Sequence, residues 1–371
     1  MIYFDNAATT FPKPREVVNS VVASLHSDGN PGRGAHTAAM SAATKIYNCR
    51  KAAAELFGAS PERVVFTSGA THSLNVAINA TGMYNGAVLI SDLEHNSVLR
   101  PVKASGREVR IFKSYTELYG DERDEMILAG LESEADGASV CACTAASNIC
   151  GASMPIGKIG AFCRERGILF IVDAAQAGGT HDIDMVRDRI DVLCLPAHKG
   201  LLGPMGCGIM ILGENVNIPP LLLGGSGFDS RATSMPEIVP ERYEAGTLPT
   251  PLIAGLHAGI EFVLKRTPSA ILAHEEELSR FLKEALFDMK RVRVYVPHHD
   301  GAIVLFNVDG ISSEELAAAF NARGICVRAG LHCAPLAHDT LGSDGALRVS
   351  FGVSNTKKEV RSFIKTLEGI I

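Results

Sequence analysis

Two apolar runs, each ending in an ionisable residue, constrain this chain more than any other feature. Residues 168–173 read Ile-Leu-Phe-Ile-Val-Asp, and residues 192–199 read Val-Leu-Cys-Leu-Pro-Ala-His-Lys. Unbroken aliphatic runs of this length, with no polar alternation, are the pattern of strands buried on both faces of a parallel sheet. The stretch between them leaves room for one crossover. If the two strands lie near each other, Asp173 and Lys199 share the crevice at the strands' carboxyl ends, which is where open α/β sheets bind ligands.

A buried carboxylate facing a buried amine suits one cofactor in particular. Pyridoxal phosphate is held as a Schiff base by a lysine, and a carboxylate keeps its ring nitrogen protonated. A lysine at a strand end also serves as a surface residue or a phosphate contact, and the pair alone leaves those readings open.

The rest of the chain repeats the strand-then-helix design. Residues 5–10, Asp-Asn-Ala-Ala-Thr-Thr, lead into Phe11-Pro12-Lys13-Pro14, which is extended or turn-like backbone. Helical spacing follows over 15–25 and again over 37–56, stopping at Gly58, with the glycine-rich loop Asn30 to His36 between them. A strand at 64–67 then runs through Ser68-Gly69-Ala70-Thr71 into an amphipathic helix. Strand, small turn and helix start make an anion site, because the first helical N–H groups lack partners. It matches neither the Walker nor the dinucleotide glycine spacing. Further strands are expected at 88–91, 109–112, 139–144 and 208–212. His95 and Asn148 therefore fall at strand carboxyl ends, on the same side of the sheet as Thr71, Asp173 and Lys199. Gln176 follows Asp173 among small residues that let a ligand approach the backbone.

Beyond a helix over 252–265 the pattern is again α/β, with strands at 292–296, 302–308 and 325–328 and a helix at 313–323. We read a three-layer αβα large domain with a mainly parallel sheet over 15–255, and a smaller α/β domain formed by 1–14 and 256–371. Length supports two such units: 371 residues exceed what one core usually serves. A net charge of −6 gives no basic footprint, so nucleic acid is not an expected partner. No apolar run is long enough to span a bilayer, and Met1-Ile2-Tyr3-Phe4-Asp5 lacks both parts of a secretory signal, so the expectation is a cytoplasmic protein.

Nine cysteines is an odd number, and several lie inside apolar runs, which argues for free buried thiols. Cys141, Cys143 and Cys150 are close in sequence, but no second pair completes a metal site, and none is expected. Cys333 differs from these. It sits in Arg328-Ala329-Gly330-Leu331-His332-Cys333-Ala334-Pro335, a loop setting next to an imidazole that favours the thiolate, although a partly buried structural cysteine is the alternative. Arg348, inside the apolar strand pattern 346–351, must reach solvent or meet an anion.

Taken together, these pieces resemble the fold-type I pyridoxal phosphate enzymes of the class V aminotransferase group, and specifically the cysteine desulfurases with a short catalytic loop (group II, Suf-type), which include selenocysteine lyases. The likeness runs nearly end to end, through 5–10, 33–36, 68–71, 94–95, 147–148, 173–176, 198–199, 244–247, 328–334, Arg348 and 355–356. It implies that Lys199 carries the cofactor Schiff base and moves the substrate's α-proton, that Asp173 pairs with the ring nitrogen, and that His95 stacks on the ring. It assigns Gln176 and Asn148 to the ring oxygen or the substrate. Ala70, Thr71 and His198 hold the phosphate, joined by Thr247 from the second subunit of a homodimer with shared active sites. Arg348 clamps the substrate carboxylate, with Ala8, Arg33, His36 and Arg328 near the substrate.

The implied reaction takes L-cysteine to L-alanine, with a persulfide on Cys333 for transfer to an acceptor protein, as in iron–sulfur cluster assembly. L-selenocysteine is the alternative substrate, and a class V aminotransferase or epimerase with an idle Cys333 the alternative activity. Four positions depart from the family pattern. Pro196 stands where a Ser or Thr often binds phosphate, Leu331 and Asn96 stand where histidines are common, and Leu248-Pro249 replaces the usual Pro-Asn.

Overall fold

The computed structural model describes residues 1–32, 34–228, 231–296 and 301–371, with the side chain of Thr81 also left aside. Its centre is a seven-stranded sheet in the order Val64–Thr67, Gly208–Leu212, Val192–Pro196, Leu169–Asp173, Ala138–Thr144, Ala87–Ser91, Val109–Phe112. Every pairing is parallel except the two made by Gly208–Leu212. The strands ending in Asp173 and Pro196 are direct neighbours, with Asp173 opposite Cys194. Lys199 follows in the turn just past Pro196. The crossover between them contains turns and no helix.

Alternation along the strands splits the core in two, as a sheet covered on both faces requires. Leu89, Cys141, Phe170, Leu193 and Ile209 face one layer, and Val88, Val140, Ile171, Cys194 and Met210 face the other. The architecture is thus a three-layer αβα sandwich. Gly208 is needed for close approach: a Cβ there would lie 2.5 Å from Gly69 Cα and 2.7 Å from Leu195 O. Its absence lets the Ser68–Ala70 turn, and with it the start of the Ala70–Ala80 helix, lie down on the sheet edge.

A second, antiparallel sheet runs Arg328–Gly330, Ala346–Ser350, Ile303–Val308, Val292–Tyr295. The helices Pro268–Phe287 and Lys357–Glu368 pack beside it. The sequence pattern reads 325–328 as one strand, whereas the structure divides it. Ile325–Cys326 pairs in parallel with Ile2–Tyr3, and Arg328 enters the four-stranded sheet opposite Arg348. The partner that makes the difference is the first strand of the chain, which no local pattern announces.

Phe363 is the hub of this second core: it stacks on Phe320 at 4.3 Å and meets Phe306 and Phe4 edge-on. All four rings are fully buried. Phe363→Ala is expected to destabilise the protein by about 3–5 kcal/mol, the cost of an unfilled aromatic site. Urea denaturation measures this, and a loss below 1 kcal/mol, within what a surface change produces, would count against a well-packed cluster.

Candidate active site

Five strand ends converge on one cavity of about 370 Å³, a size suited to a small cofactor. Its lining includes Ala70, Thr71, His95, Asp173, His198 and Lys199, and also Asn148 and Gln176. These residues span 130 positions of sequence, from 70 to 199, and meet because parallel strands put all their carboxyl ends on one edge.

Asp173 is 2 % exposed, and its Oδ1 accepts the Ala175 N–H at 2.9 Å. Burial raises its carboxyl above the ordinary range, opposed by that hydrogen bond and by Lys199. Lys199 shows the mirror effect: burial pushes its amine down to about 8, while Asp173 opposes and Arg348 and Arg328 reinforce the shift. The lysine is therefore a usable nucleophile and base near neutrality, which an ordinary lysine is not.

His95 caps the Asn96–Ala104 helix, its Nδ1 accepting the Ser97 N–H at 3.0 Å. That bond puts the ring proton on Nε2. Burial, with Lys199 and Arg348 nearby, holds the imidazole down to about 4, so it is neutral. His198 is likewise pushed to about 4, by burial first and then by Lys199 and Lys13. Its Nδ1 is buried without a partner among the described residues. The first turn of the Ala70–Ala80 helix, whose N–H groups have no intrahelical acceptor, lines the same cavity as His198. An unpaired ring nitrogen beside a helix start, with an Asp–Lys pair across the cavity, fits a phosphorylated aromatic aldehyde.

The remaining predicted residues divide between this cavity and other places. Gln176 Nε2 donates to Ala7 O at 3.0 Å, and Asn148 Nδ2 donates to His332 O at 2.9 Å. Ala8 and His36 do not line the cavity. Exposed His36 caps the Thr37–Phe57 helix by accepting the Ala39 N–H. Thr247 lines a neighbouring cavity that shares Ser68, His72 and Gly206 with this one. Arg33 lies outside the described residues.

Arg348 is 3 % exposed and meets its anion within the chain. It donates to Asp5 Oδ1 at 2.9 Å and to Asn148 O at 2.8 Å, while its Nε has no partner among the described residues. Arg328 grips the same carboxylate from the exposed side at 2.9 Å. Sequence reasoning missed Asp5 as this shared counterion. It also missed Glu94, fully buried, which burial pushes up to about 8 and whose Oε1 accepts from Thr144 N and Ser91 Oγ, tying two strand ends together beside His95. Nothing local marks either role.

Cys333 is the one cysteine classed as exposed, and seven of the other eight are buried. His332 and Cys333 both adopt left-handed backbone, with φ of 51° and 56°. Two consecutive non-glycine residues in that region are costly and persist only where surroundings hold them. Here Asn148 holds His332 O and the Asn96 N–H holds Cys333 O at 2.8 Å, docking the loop next to His95. The expectation that the adjacent imidazole activates the thiol needs correcting. The His332 ring nitrogens point to His338 Nε2 at 3.2 Å and to Arg328 O at 3.4 Å, and burial holds the ring neutral, down to about 3. Although the two residues are neighbours in sequence, the His332 ring is engaged away from Cys333.

The aminotransferase class-V family model matches residues 2–363. The probable cysteine desulfurase of Pyrococcus abyssi is 30% identical over all of this chain and 94% of its own length. The cysteine desulfurase of Haloferax volcanii is 29% identical over 99% of this chain and 89% of its own. Among solved structures, the apo cysteine desulfurase of Thermococcus onnurineus NA1 superposes with a TM-score of 0.93 at 30% identity, covering 100% of this chain and 94% of that one. The Escherichia coli cysteine desulfurase in its S-sulfonic acid form, at 24% identity and a TM-score of 0.88 over 99% of this chain and 94% of its own, shares the fold. The chain belongs to the class-V aminotransferase family.

Proposed function

We propose that this protein is a pyridoxal phosphate-dependent cysteine desulfurase that converts L-cysteine to L-alanine and carries the sulfur as a persulfide on Cys333. One observation carries the reading: a buried Asp173–Lys199 pair lines a cofactor-sized cavity, and the one exposed cysteine is docked beside it through Asn96 and Asn148. Relatives named cysteine desulfurase along the whole chain support the same choice.

When bound, pyridoxal phosphate supplies an electron sink for the carbanion at the substrate's α-carbon. Lys199, Asp173 and His95 would hold it by its aldehyde, ring nitrogen and ring face, and Ala70, Thr71 and His198 by its phosphate, with Thr247 of a second subunit expected to join them. Lys199 would then take the α-proton, since its lowered basicity leaves much of the amine neutral near pH 8. Arg348 would orient the substrate carboxylate, keeping its hold on Asp5. Cys333 Sγ, as thiolate, would attack the substrate sulfur. The Cβ–S bond breaks with its electron pair left on carbon, a proton is delivered to that carbon, and Lys199 returns a proton to the α-carbon to complete alanine. An acceptor protein reaching the exposed loop would take the persulfide sulfur.

The test compares Cys333→Ala with the parent on L-cysteine and L-selenocysteine, following alanine, sulfide and selenide. Sulfide release is expected to fall by at least about 100-fold while the bound cofactor keeps its visible absorption. Unchanged sulfide release would overturn the desulfurase reading in favour of an aminotransferase or epimerase. Selenide release that survives the substitution would favour a selenocysteine lyase.

A further inference from the structure

A second cavity lies behind Lys199. It is small, about 50 Å³, enough for a few water molecules. Lys199, Gln176 and Ala146 line both cavities and form the partition between them. On its other side stands Glu275, from the Pro268–Phe287 helix, only 6 % exposed and with no hydrogen-bond partner among the described residues. Buried carboxyl groups are rarely left unpaired, and one that opens into a polar cavity calls for water. Burial, and then neighbouring Glu276, push its carboxyl up to about 8, so it is neutral near pH 7. His181 lines the cavity too, neutral as well, its Nδ1 paired with Thr180 Oγ1 at 3.0 Å. Half-buried Leu272 and Val353 complete the side nearer the surface.

A neutral carboxylic acid can donate from one oxygen and accept on the other, so it passes a proton without acquiring charge. We propose that this cavity is a water-filled proton route to Lys199, in which Glu275 relays the amine's protons to and from solvent. The inference rests on the reading of Lys199 as the base at the substrate's α-carbon. In each passage the Lys199 ammonium gives a proton to a cavity water, and that water gives one of its own to a Glu275 oxygen. The other Glu275 oxygen releases its proton outward. The reverse sequence returns a solvent proton, so no electrons or net charge move. Asp173 lines the larger cavity and not this one, whereas Lys199 lines both, so the small cavity reaches the lysine away from its carboxylate partner.

The experiment follows L-cysteine deuterated at the α-carbon and measures deuterium retained in the alanine. With the route intact, the lysine exchanges its deuteron for solvent protons and retention is low. Glu275→Leu and Glu275→Gln are expected to raise retention at least threefold; unchanged retention in both overturns the proposal. A second readout needs no variant to turn over. In the unsubstituted protein at neutral pH, a protonated carboxyl band should be present, assigned by its absence from Glu275→Gln, and should shift in heavy water before the core amides exchange. No such band, or one that shifts only on unfolding, overturns the proposal equally. Should Lys199 not act at the α-carbon, Lys199→Ala would still form alanine within tenfold of the parent rate while the infrared band still shifted promptly, which separates the failure of that reading from failure of the relay.

Discussion

Replacing Lys199 by alanine is expected to cut alanine formation from L-cysteine by roughly 10⁴-fold, the upper range for a positioned acid–base group, with the fold retained. On the proposed mechanism two roles are lost together, the covalent hold on the cofactor and the base at the α-carbon. The neighbouring imidazoles are poor substitutes, because His95 and His198, pushed down to about 4, are weak bases. The pH dependence follows from the amine. Burial lowers it to about 8, so below that value the neutral, reactive fraction falls about tenfold per pH unit, and above it the rate levels. Loading of the cofactor onto the parent protein should therefore rise to a plateau near pH 8. A rise continuing toward 10.5, the ordinary lysine value, would remove the argument that burial activates this amine. Activity of Lys199→Ala within tenfold of the parent would remove Lys199 from the chemistry.

Asp5→Ala should be the most damaging single charge removal in the second sheet. The carboxylate bridges two guanidinium groups of unequal burial: Arg348 has 3 % of its side chain exposed and Arg328 has 49 %. Arg328 can turn to water when Asp5 is lost. Arg348 cannot, and an uncompensated buried charge costs about 3–5 kcal/mol. Arg328→Ala gives the contrast, since it removes only the exposed arm of the bridge, worth about 0–1 kcal/mol. Urea denaturation of the two variants decides the matter. Equal losses would show that Arg348 finds another partner or solvent, and that Asp5 is not what neutralises it.

How much of this was readable in advance depends on the range of the interactions. The strands ending in Asp173 and Lys199 could be read because burial on both faces leaves an unbroken apolar run, and parallel strands must present their ends together. The helix starts at Ala70 and Asn96 could be read from the turns before them, so His95 and Thr71 were placed on the correct edge. The loop around Cys333 could be read as exposed, but the direction of the His332 ring could not. Backbone dihedrals and the pull of His338 set that direction, and both depend on neighbours elsewhere in the fold.

Local pattern alone determined the element types, the αβα layering and the edge where the reactive residues collect, because hydrophobic periodicity and helix-start chemistry act over a few residues. Tertiary structure alone decided which charges meet. Asp5 reaches Arg348 across 343 positions, Asn148 holds a loop 184 positions away, and Glu275 comes to line the small cavity that Lys199 also lines. Pairing and burial of polar groups depend on what the folded chain packs around them. An aspartate near the start of a sequence has the same local signature whether it faces water or neutralises a buried arginine.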